Sequence, residues 1–546
     1  MIEAAATETT AADVHDDALS AFNLGEMLAE RDHKAEAEDA FSRADELGHP
    51  AAAAHLGMLL EERGDLAAAE AAYRRADERG DPAGTFRLGL LLARSSDMAG
   101  AEAAYRRADE RGHPAAALRL GALLEQRGNV EAAEAAYRRA DRRGDALGAF
   151  TLAGMLAQRN DMADAEAAFG RADQHGHPSA PTSLGVIFQN RGDLAGAEEA
   201  YRRADRRGDA DGAFNLGRLL VEWGDLEGAE AAFQRADERG HADAAFSLGG
   251  LLAERGDLAG AEAAYRNADE RGHAAGASNF GVLLQHRDDL AGAEAAFRRA
   301  DERGDAAGAA NLGELLADRG DLSSAETAYR HADERGNANA AAQLGVLLEH
   351  RGDRNEAEAA YGRAAERGDA TSAFNLGGML AEEDDLEGAE AAFARADEFG
   401  HRSGASNLGV LLEQRGDLAG AEAAYRRADQ RGDANGAFNL GALLADAGDL
   451  DGAEAAFSRA DDRGDAAGAT NLGILLEQRG DLAGAEAAYQ RADERGDATG
   501  AFNLGALLER HDAAGAEAAY SRAYERGHPE LADMAQAALS HLRGDV

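Results

Sequence analysis

Apolar and polar positions repeat along this chain with a fixed period of 32 residues. A leucine-glycine pair marks each period, and its sixteen copies run from Leu24-Gly25 to Leu504-Gly505 without insertion or deletion between them. Two copies differ, Leu152-Ala153 and Phe280-Gly281. A register kept this long means that each unit packs on its neighbours in one standard way. The sequence therefore predicts a linear array of identical units rather than several globular domains.

Residues 466–497 show how one unit folds. The segments 466–479 and 482–495 each carry an apolar stripe at helical spacing, and each ends immediately before a glycine. An aspartate precedes the second segment and another follows it, so each helix start has a capping residue. Each unit is thus predicted to be a helix A followed by a helix B, with a Tyr or Phe of helix B supplying most of the bulk.

Composition narrows the class of protein. The chain has no cysteine, which excludes disulfides and thiolate metal sites. Its first residues show no export signal, and no apolar run approaches the roughly 20 residues needed to cross a bilayer. We therefore expect a cytoplasmic protein without membrane insertion.

The formal charge of -45 is spread along the array, since residues 466–497 alone hold six acidic residues and three arginines. Acidity in every unit argues against nucleic acid as a partner and favours a basic one.

The fixed positions of the unit carry a family resemblance. Counting Leu472 as position seven, the unit has leucine-glycine at seven and eight, glycine at fifteen, alanine at twenty, Tyr or Phe at twenty-four and alanine at twenty-seven. This pattern resembles the tetratricopeptide repeat, and endings such as residues 394–409 resemble the related Sel-one-like repeat. The unit departs from the tetratricopeptide pattern in having 32 residues rather than about 34, and in its alanine where that pattern has an early tryptophan.

The resemblance implies an all-α fold, an α-solenoid of about sixteen helix-turn-helix repeats that form a right-handed superhelix. Its A helices would line a concave groove through positions two, five, six, nine, twelve and thirteen. We expect a short, acidic, disordered segment over residues 1–17, repeats over residues 18–528, and a C-terminal capping helix and tail over residues 529–546.

Position six is the first candidate for binding. A side-chain amide both donates and accepts, so a row of amides could hydrogen-bond the backbone of an extended peptide. Asparagine is equally well explained as the common residue of this repeat, and the sequence leaves both readings open. The candidate asparagines are Asn215, Asn279, Asn311, Asn375, Asn407, Asn439, Asn471 and Asn503.

Position five is the second candidate, because phenylalanines recur there in alternate repeats and include Phe374, Phe438 and Phe502. At position twelve most of these repeats have Ala or Val, whereas most intervening ones have Glu or Gln. Apolar and acidic bands are therefore predicted to alternate along the groove, although duplication of repeat pairs also explains the pattern. Residues 146–209 are the least regular, which indicates either degeneration or a specialised docking surface.

Residues suited to catalysis or metal binding do not form recognisable motifs. Seven histidines, including His113 and His401, occupy the junction before helix A, where other units have Asp or Asn, and are predicted to be turn residues. No glycine-rich phosphate loop, nucleophile elbow or zinc signature occurs. We expect neither an enzyme nor a bound cofactor.

Two functions fit these observations. The first is a non-catalytic scaffold that binds an extended peptide or partner protein in the groove. The alternative is a regulatory subunit that contacts an enzyme or signalling protein through the convex surface of the B helices, where Arg426 and Arg427 lie.

Overall fold

The computed structural model describes residues 11–543, and every regular element in this range is an α-helix. The chain divides into two compact units, Met1–Arg271 (unit 1) and Gly272–Val546 (unit 2). The helices of unit 1 are α1 Ala11–Glu30, α2 Lys34–Glu46, α3 Ala52–Glu62, α4 Leu66–Glu78, α5 Pro82–Arg94, α6 Met98–Glu110, α7 Ala116–Gln126, α8 Val130–Arg142, α9 Ala146–Gln158, α10 Met162–Gln174, α11 Ala180–Arg191, α12 Leu194–Arg206, α13 Ala210–Glu222, α14 Leu226–Glu238, α15 Ala242–Glu254 and α16 Leu258–Glu270.

The helices of unit 2 are α17 Ala274–His286, α18 Leu290–Glu302, α19 Ala306–Asp318, α20 Leu322–Glu334, α21 Ala338–Arg351, α22 Arg354–Glu366, α23 Ala370–Glu382, α24 Leu386–Glu398, α25 Gly404–Gln414, α26 Leu418–Gln430, α27 Ala434–Asp446, α28 Leu450–Asp462, α29 Ala466–Gln478, α30 Leu482–Glu494, α31 Ala498–Leu508, α32 Ala513–Arg526 and α33 Pro529–Arg543.

Helices α1 to α32 form sixteen hairpins, in which each odd-numbered helix is a helix A and the next is its helix B. The predicted all-helical array of about sixteen hairpins is therefore confirmed. Helix α33 packs on α32 and ends the described chain. Of the segment expected to be disordered, residues 1–10 lie outside the described residues, whereas residues 11–17 belong to α1. That helix begins earlier than expected because no glycine or proline interrupts the chain between Ala11 and Gly25.

Within a hairpin, the glycine at position eight allows helix A to lie directly against the aromatic ring of helix B. A Cβ atom on Gly473 would lie 2.5 Å from the ring of Tyr489, a distance that no real side chain tolerates. Tyr489 is consequently almost fully buried, at 1% exposure. The leucine-glycine pair thus recurs because each hairpin needs one apolar contact and one gap for a ring.

Helix starts follow the predicted capping pattern with one correction. Asp481 accepts a hydrogen bond from the backbone N–H of Gly484 at 3.0 Å, and Asp497 accepts one from Gly500 at 2.7 Å. Pro82 occupies the first turn of its helix, as expected. In contrast, where proline follows a junction histidine, as at Pro114, helix A begins two residues later, at Ala116.

Neighbouring repeats are joined by an aspartate at position twenty-eight of helix B, which binds two arginines of the following helix B. Asp333 is 3% exposed and accepts a hydrogen bond from Nη2 of Arg363 at 2.6 Å, while Arg367 donates to both its carboxylate and, at 2.9 Å, its backbone carbonyl. Burial alone would raise the pKa of Asp333, but the hydrogen bonds and charges of both arginines outweigh it and lower the pKa. We call this arrangement the inter-repeat carboxylate link.

The inter-repeat carboxylate link recurs along both units, with residue spacings of 30 and 34 between acid and bases in the regular repeats. In one repeat, His175 occupies the position of the second arginine. In another, Asn267 takes the place of the first arginine as a partner of the aspartate. The aspartates that form it are Asp45, Asp77, Asp109, Asp141, Asp173, Asp205, Asp237, Asp301, Asp333, Asp397, Asp429, Asp461 and Asp493.

One junction in unit 2 lacks this link. Ala365 stands where the aspartate is expected, and Phe399 stands where the second arginine would be. Arg395 keeps the position of the first arginine but is exposed. The joint loss of acid and base at the same junction indicates that the two positions depend on each other.

The junction histidines are more than turn residues. Their rings stack on the phenylalanine at position five of the preceding helix A. Phe86 and His113 stack with ring centroids 4.1 Å apart, and Phe374 and His401 with centroids 4.3 Å apart. Where position five carries a hydroxyl instead, it donates to a junction aspartate, as from Ser406 to Asp433 at 2.6 Å. Phenylalanine at position five is therefore followed by a junction histidine in most repeats, with Phe438 and Asp465 as an exception.

The inter-repeat carboxylate link predicts that alanine substitutions of two arginines at the same repeat position lower the free energy of unfolding by different amounts. We expect Arg363→Ala to lower the free energy of unfolding by about 1–3 kcal/mol, because it leaves the buried carboxylate of Asp333 with one partner fewer. Arg395→Ala, which faces Ala365, should change it by less than about 0.5 kcal/mol. Urea denaturation followed by circular dichroism measures both, and equal losses would contradict a structural role for the link.

The stacked histidines predict loss of stability on mild acidification. Burial lowers the pKa of His113, His177 and His401. The unfolded chain, with histidine pKa values near 6.5, therefore takes up protons before the folded one. Stability should be full above about pH 6.5 and should decline as the pH falls towards 5, with a melting midpoint lower by about 2–4 °C.

A triple variant with asparagine at these three positions is the control, since Asn337 occupies the same junction position naturally. Its melting midpoint should vary less between pH 7 and 5. Linked aspartates such as Asp333 and Asp461 do not interfere, because their pKa values are lowered from an ordinary value already below this window. An identical pH profile in wild type and variant would show that the histidines do not cause the decline.

Candidate functional site

The position-six side chains form a row of amides in unit 2. All eight hairpins of this unit carry one, since Gln343 stands in the single hairpin without asparagine. In unit 1 only Asn23 and Asn215 are amides, and the other hairpins have His, Arg, Thr or Ser there. Seven of the eight candidate asparagines therefore lie in unit 2, and all eight are half-buried. The concentration of amides follows the division of the chain into units.

In three hairpins the position-six side chain lies near the position-twenty-four tyrosine of the preceding hairpin. Burial raises the pKa of Tyr361, and the nearby amide of Asn375 acts against that shift. Arg87 and Arg119 act electrostatically on the phenols of Tyr73 and Tyr105 in the same way. A cleft between successive A helices thus has position six on one wall and the helix B ring at its base.

Position twelve of the preceding helix A completes this cleft. The hydroxyl of Tyr361 donates to Glu349 at 2.7 Å, and that of Tyr425 donates to Glu413 at the same distance. Burial is the main cause that raises the pKa of both tyrosines, so the phenols stay protonated and the glutamates act as acceptors. The glutamates of the expected acidic bands are therefore each hydrogen-bonded by a tyrosine of the same hairpin.

The same arrangement recurs with glutamine. Tyr201 donates to Gln189 at 2.9 Å, and burial raises the pKa of Tyr201 to about 12. Sequence reasoning missed the convergence of positions six, twelve and twenty-four. The contact between positions twelve and twenty-four could have been found in the sequence, since five regular repeats pair Glu at position twelve with Tyr at position twenty-four.

The candidate phenylalanines pack inside their own hairpins. The ring of Phe374 lies 5.6 Å from that of Phe393, Phe438 lies 5.9 Å from Phe457, and Phe502 lies 5.3 Å from Tyr520. All three remain half-buried, so each presents one edge to the surface while the rest supports the core. They are the apolar wall of the surface rather than protruding contacts.

The residues proposed to mark the convex surface differ from each other in role. Arg426 is exposed and pairs with Glu422 one turn earlier on its own helix. Arg427 binds Asp397 of the preceding repeat at 2.7 Å and belongs to an inter-repeat carboxylate link. Replacing Arg427 would therefore disturb the packing of repeats, and only Arg426 is a suitable probe of that surface.

Metal ligands do not cluster in the part of the chain that the structure describes, where no group of three or more His, Asp or Glu side chains is placed to hold an ion. Between residues 11 and 543, no helix combines the length and apolar character needed to cross a membrane.

Three solved structures are similar to this chain. A protective antigen of uropathogenic Escherichia coli strains with an SLR fold, c5321, is 22% identical, with 78% of this chain and 97% of that chain covered and a TM-score of 0.49. A Sel1 repeat protein from Oxalobacter formigenes is 21% identical over 55% of this chain and 92% of that one, with a TM-score of 0.41. Yeast Tom70 is 14% identical over 85% and 96%, with a TM-score of 0.29.

Among curated proteins, no sequence is significantly similar to this chain. The tetratricopeptide repeat family, in contrast, matches residues 55–116, 86–148, 182–241, 214–277, 343–403 and 438–501, which together make up more than half of the chain. These matches fall on the hairpins whose packing is described above. The chain therefore belongs to the tetratricopeptide repeat family.

Proposed function

We propose that this protein is a non-catalytic cytoplasmic scaffold that binds an extended peptide or partner protein along its A helices. Tetratricopeptide repeats generally mediate protein–protein interaction, which supports the class of function. The observation that carries the proposal is the uninterrupted row of side-chain amides at position six in unit 2.

The geometry of such a row suits a peptide backbone. Successive A helices about 10 Å apart and an extended peptide rising about 3.3 Å per residue bring one amide to every third peptide residue or so. The amide of Asn471 donates to the carbonyl of Ala467 in its own helix at 3.1 Å, which fixes its direction and leaves its oxygen available. Amides recognise backbone groups, so binding depends little on the peptide's sequence.

Charge adds a preference to this general recognition. The chain carries a formal charge of -45, which attracts basic segments over distances comparable to the Debye length. A partner segment rich in Lys or Arg would therefore associate faster at low ionic strength. Nucleic acid would be repelled.

Alanine at Asn375, Asn407, Asn439, Asn471 and Asn503 tests the amide row. We expect the five-fold variant to lose its partner in affinity capture from a cell lysate read by quantitative mass spectrometry. Each half-exposed amide lost should remove roughly 0.5–1.5 kcal/mol of binding free energy, so five together abolish capture. The melting midpoint should change little, because none of the five belongs to an inter-repeat carboxylate link.

The matched control replaces Arg426 and Gln490, two exposed residues of the B helices, with alanine. Capture should be unchanged in this control. If the control loses the partner while the asparagine variant keeps it, the contact lies on the B helices, and the regulatory-subunit function replaces the scaffold proposed here.

A further inference from the structure

Two largely apolar cavities open in unit 1 at overlapping positions of the repeat. The first socket, lined by Ala157, Phe169, Ser183 and Val186 among others, has a volume of about 700 Å³. The second socket, lined by Val221, Phe233, Ser247 and Gly250 among others, has a volume of about 630 Å³. The two lie 64 residues apart in the sequence, which is two repeats.

Each socket occupies the cleft that other hairpins fill with polar groups. In a filled cleft a tyrosine hydroxyl reaches Glu or Gln at position twelve, and a larger side chain stands at position six of the next helix A. The first socket has Ala157 at position twelve, Phe169 at twenty-four and Ser183 at six. The second has Val221, Phe233 and Ser247 at the same three positions.

This combination occurs at only two places in the sequence. Repeats with Ala and Phe at positions twelve and twenty-four recur in unit 2, but there position six of the next helix is Asn407 or Asn471. Serine in place of asparagine at this position therefore distinguishes both sockets from these two clefts. The hydroxyl of Ser183 bonds the carbonyl of Ser179 in its own helix at 3.3 Å and adds no polar group at the centre of the socket.

The intervening cleft is polar. It lies between helices α11, α12 and α13, where Tyr201 donates to Gln189 and Asn215 stands at position six. Unit 1 thus presents an apolar socket, a polar cleft and a second apolar socket in order. Two repeats span about 20 Å, the length of about six residues of extended peptide. Side chains six residues apart on an extended peptide point to the same side, so both can enter.

We propose that unit 1 binds an extended peptide segment of a partner protein that carries two large apolar side chains six residues apart, one in each socket. This inference rests on the proposed function for the class of ligand and assigns a separate anchoring site to it. Val186 and Val221 are 41% and 42% exposed, and the apolar side chains of the peptide cover them.

Charge distinguishes the two ends of the peptide. At the first socket Arg191 pairs with Glu166 at 2.7 Å, so the rim is neutralised within the protein. The rim of the second socket includes Glu222 and Glu254 against one arginine, Arg218. The peptide therefore carries Lys or Arg beside the anchor that enters the second socket.

The test is a selection from random 16-residue peptides displayed on phage, with the full-length chain as the target and the S183N/S247N double variant as the counter-target. We expect enriched peptides to carry two large apolar residues six apart, with a basic residue beside one of them. Enrichment without this spacing, or none above the double variant, overturns the proposal. So does full binding by a peptide with one apolar residue, because it would make each socket an independent site.

A synthetic copy of an enriched peptide then measures each socket by fluorescence anisotropy. Ser183→Asn and Ser247→Asn should each weaken binding at least about tenfold, the effect of losing one well-buried anchor. Thr151→Asn is the matched control and should not change affinity, because its cleft already holds the Tyr137–Glu125 hydrogen bond. Equal affinity in all three variants contradicts the proposal.

The same peptide measured on the five-fold asparagine variant separates this inference from the proposed function. That variant leaves unit 1 intact, so the peptide should bind it as tightly as it binds the wild type. A loss confined to the asparagine variant would refute the sockets and leave the amide row standing, whereas a loss confined to the socket variants would do the reverse.

Discussion

The buried carboxylate shared by two guanidinium groups of the next repeat is the interaction on which the array depends. Alanine-rich helices bring little apolar surface to their junctions, so neighbouring hairpins need a directional contact to fix their spacing. Asp461 provides it by accepting from Arg491 and Arg495 together, and the arginines outweigh the effect of burial and lower the pKa of the carboxyl. Two donors on one acceptor hold both the distance and the rotation between hairpins.

This link also explains how so acidic a chain can stack its repeats closely. Most described arginines are engaged with acids of their own or the preceding hairpin, so the excess negative charge lies mainly on turns and on exposed helix faces. Arginine suits this role because its planar fork reaches two oxygens at once, which a lysine ammonium cannot match. The chain has a single lysine, Lys34, and it lies on the exposed side of the first hairpin, bonded to Glu62.

Sequence alone predicted the helices of a hairpin well, because their determinants are local. Position eight is glycine in every repeat but the one with Ala153, and positions sixteen and thirty-two mostly carry caps, so Gly473 and Asp481 could be interpreted without a structure. Contacts between hairpins were not predictable in the same way. Most repeats offer both the aspartate and the arginines, so the sequence does not say whether Asp333 binds arginines of its own repeat or of the next. Only the joint change to Ala365 and Phe399 hinted at the answer.

The candidate surface shows the same limit. The asparagine row could be found from periodicity, whereas the packing of the phenylalanines on the rings of their own B helices could not. The histidines were recognised as junction residues, but their stacking on phenylalanine required the structure, although the 27-residue spacing of Phe86 and His113 recurs visibly. Cavities are the hardest feature to predict from sequence. The sockets of unit 1 arise because three positions, on two neighbouring hairpins, carry no large polar side chain.

The junction of Ala365 and Phe399 gives unit 2 a preferred place to part. In a linear array each hairpin is held only by its neighbours, so cooperativity breaks first at the weakest interface. The hairpins before and after this junction keep their own inter-repeat carboxylate links, through Asp333 and Asp397. Under a pulling force, unit 2 would therefore separate first at this junction into two groups of hairpins, rather than unfold one repeat at a time.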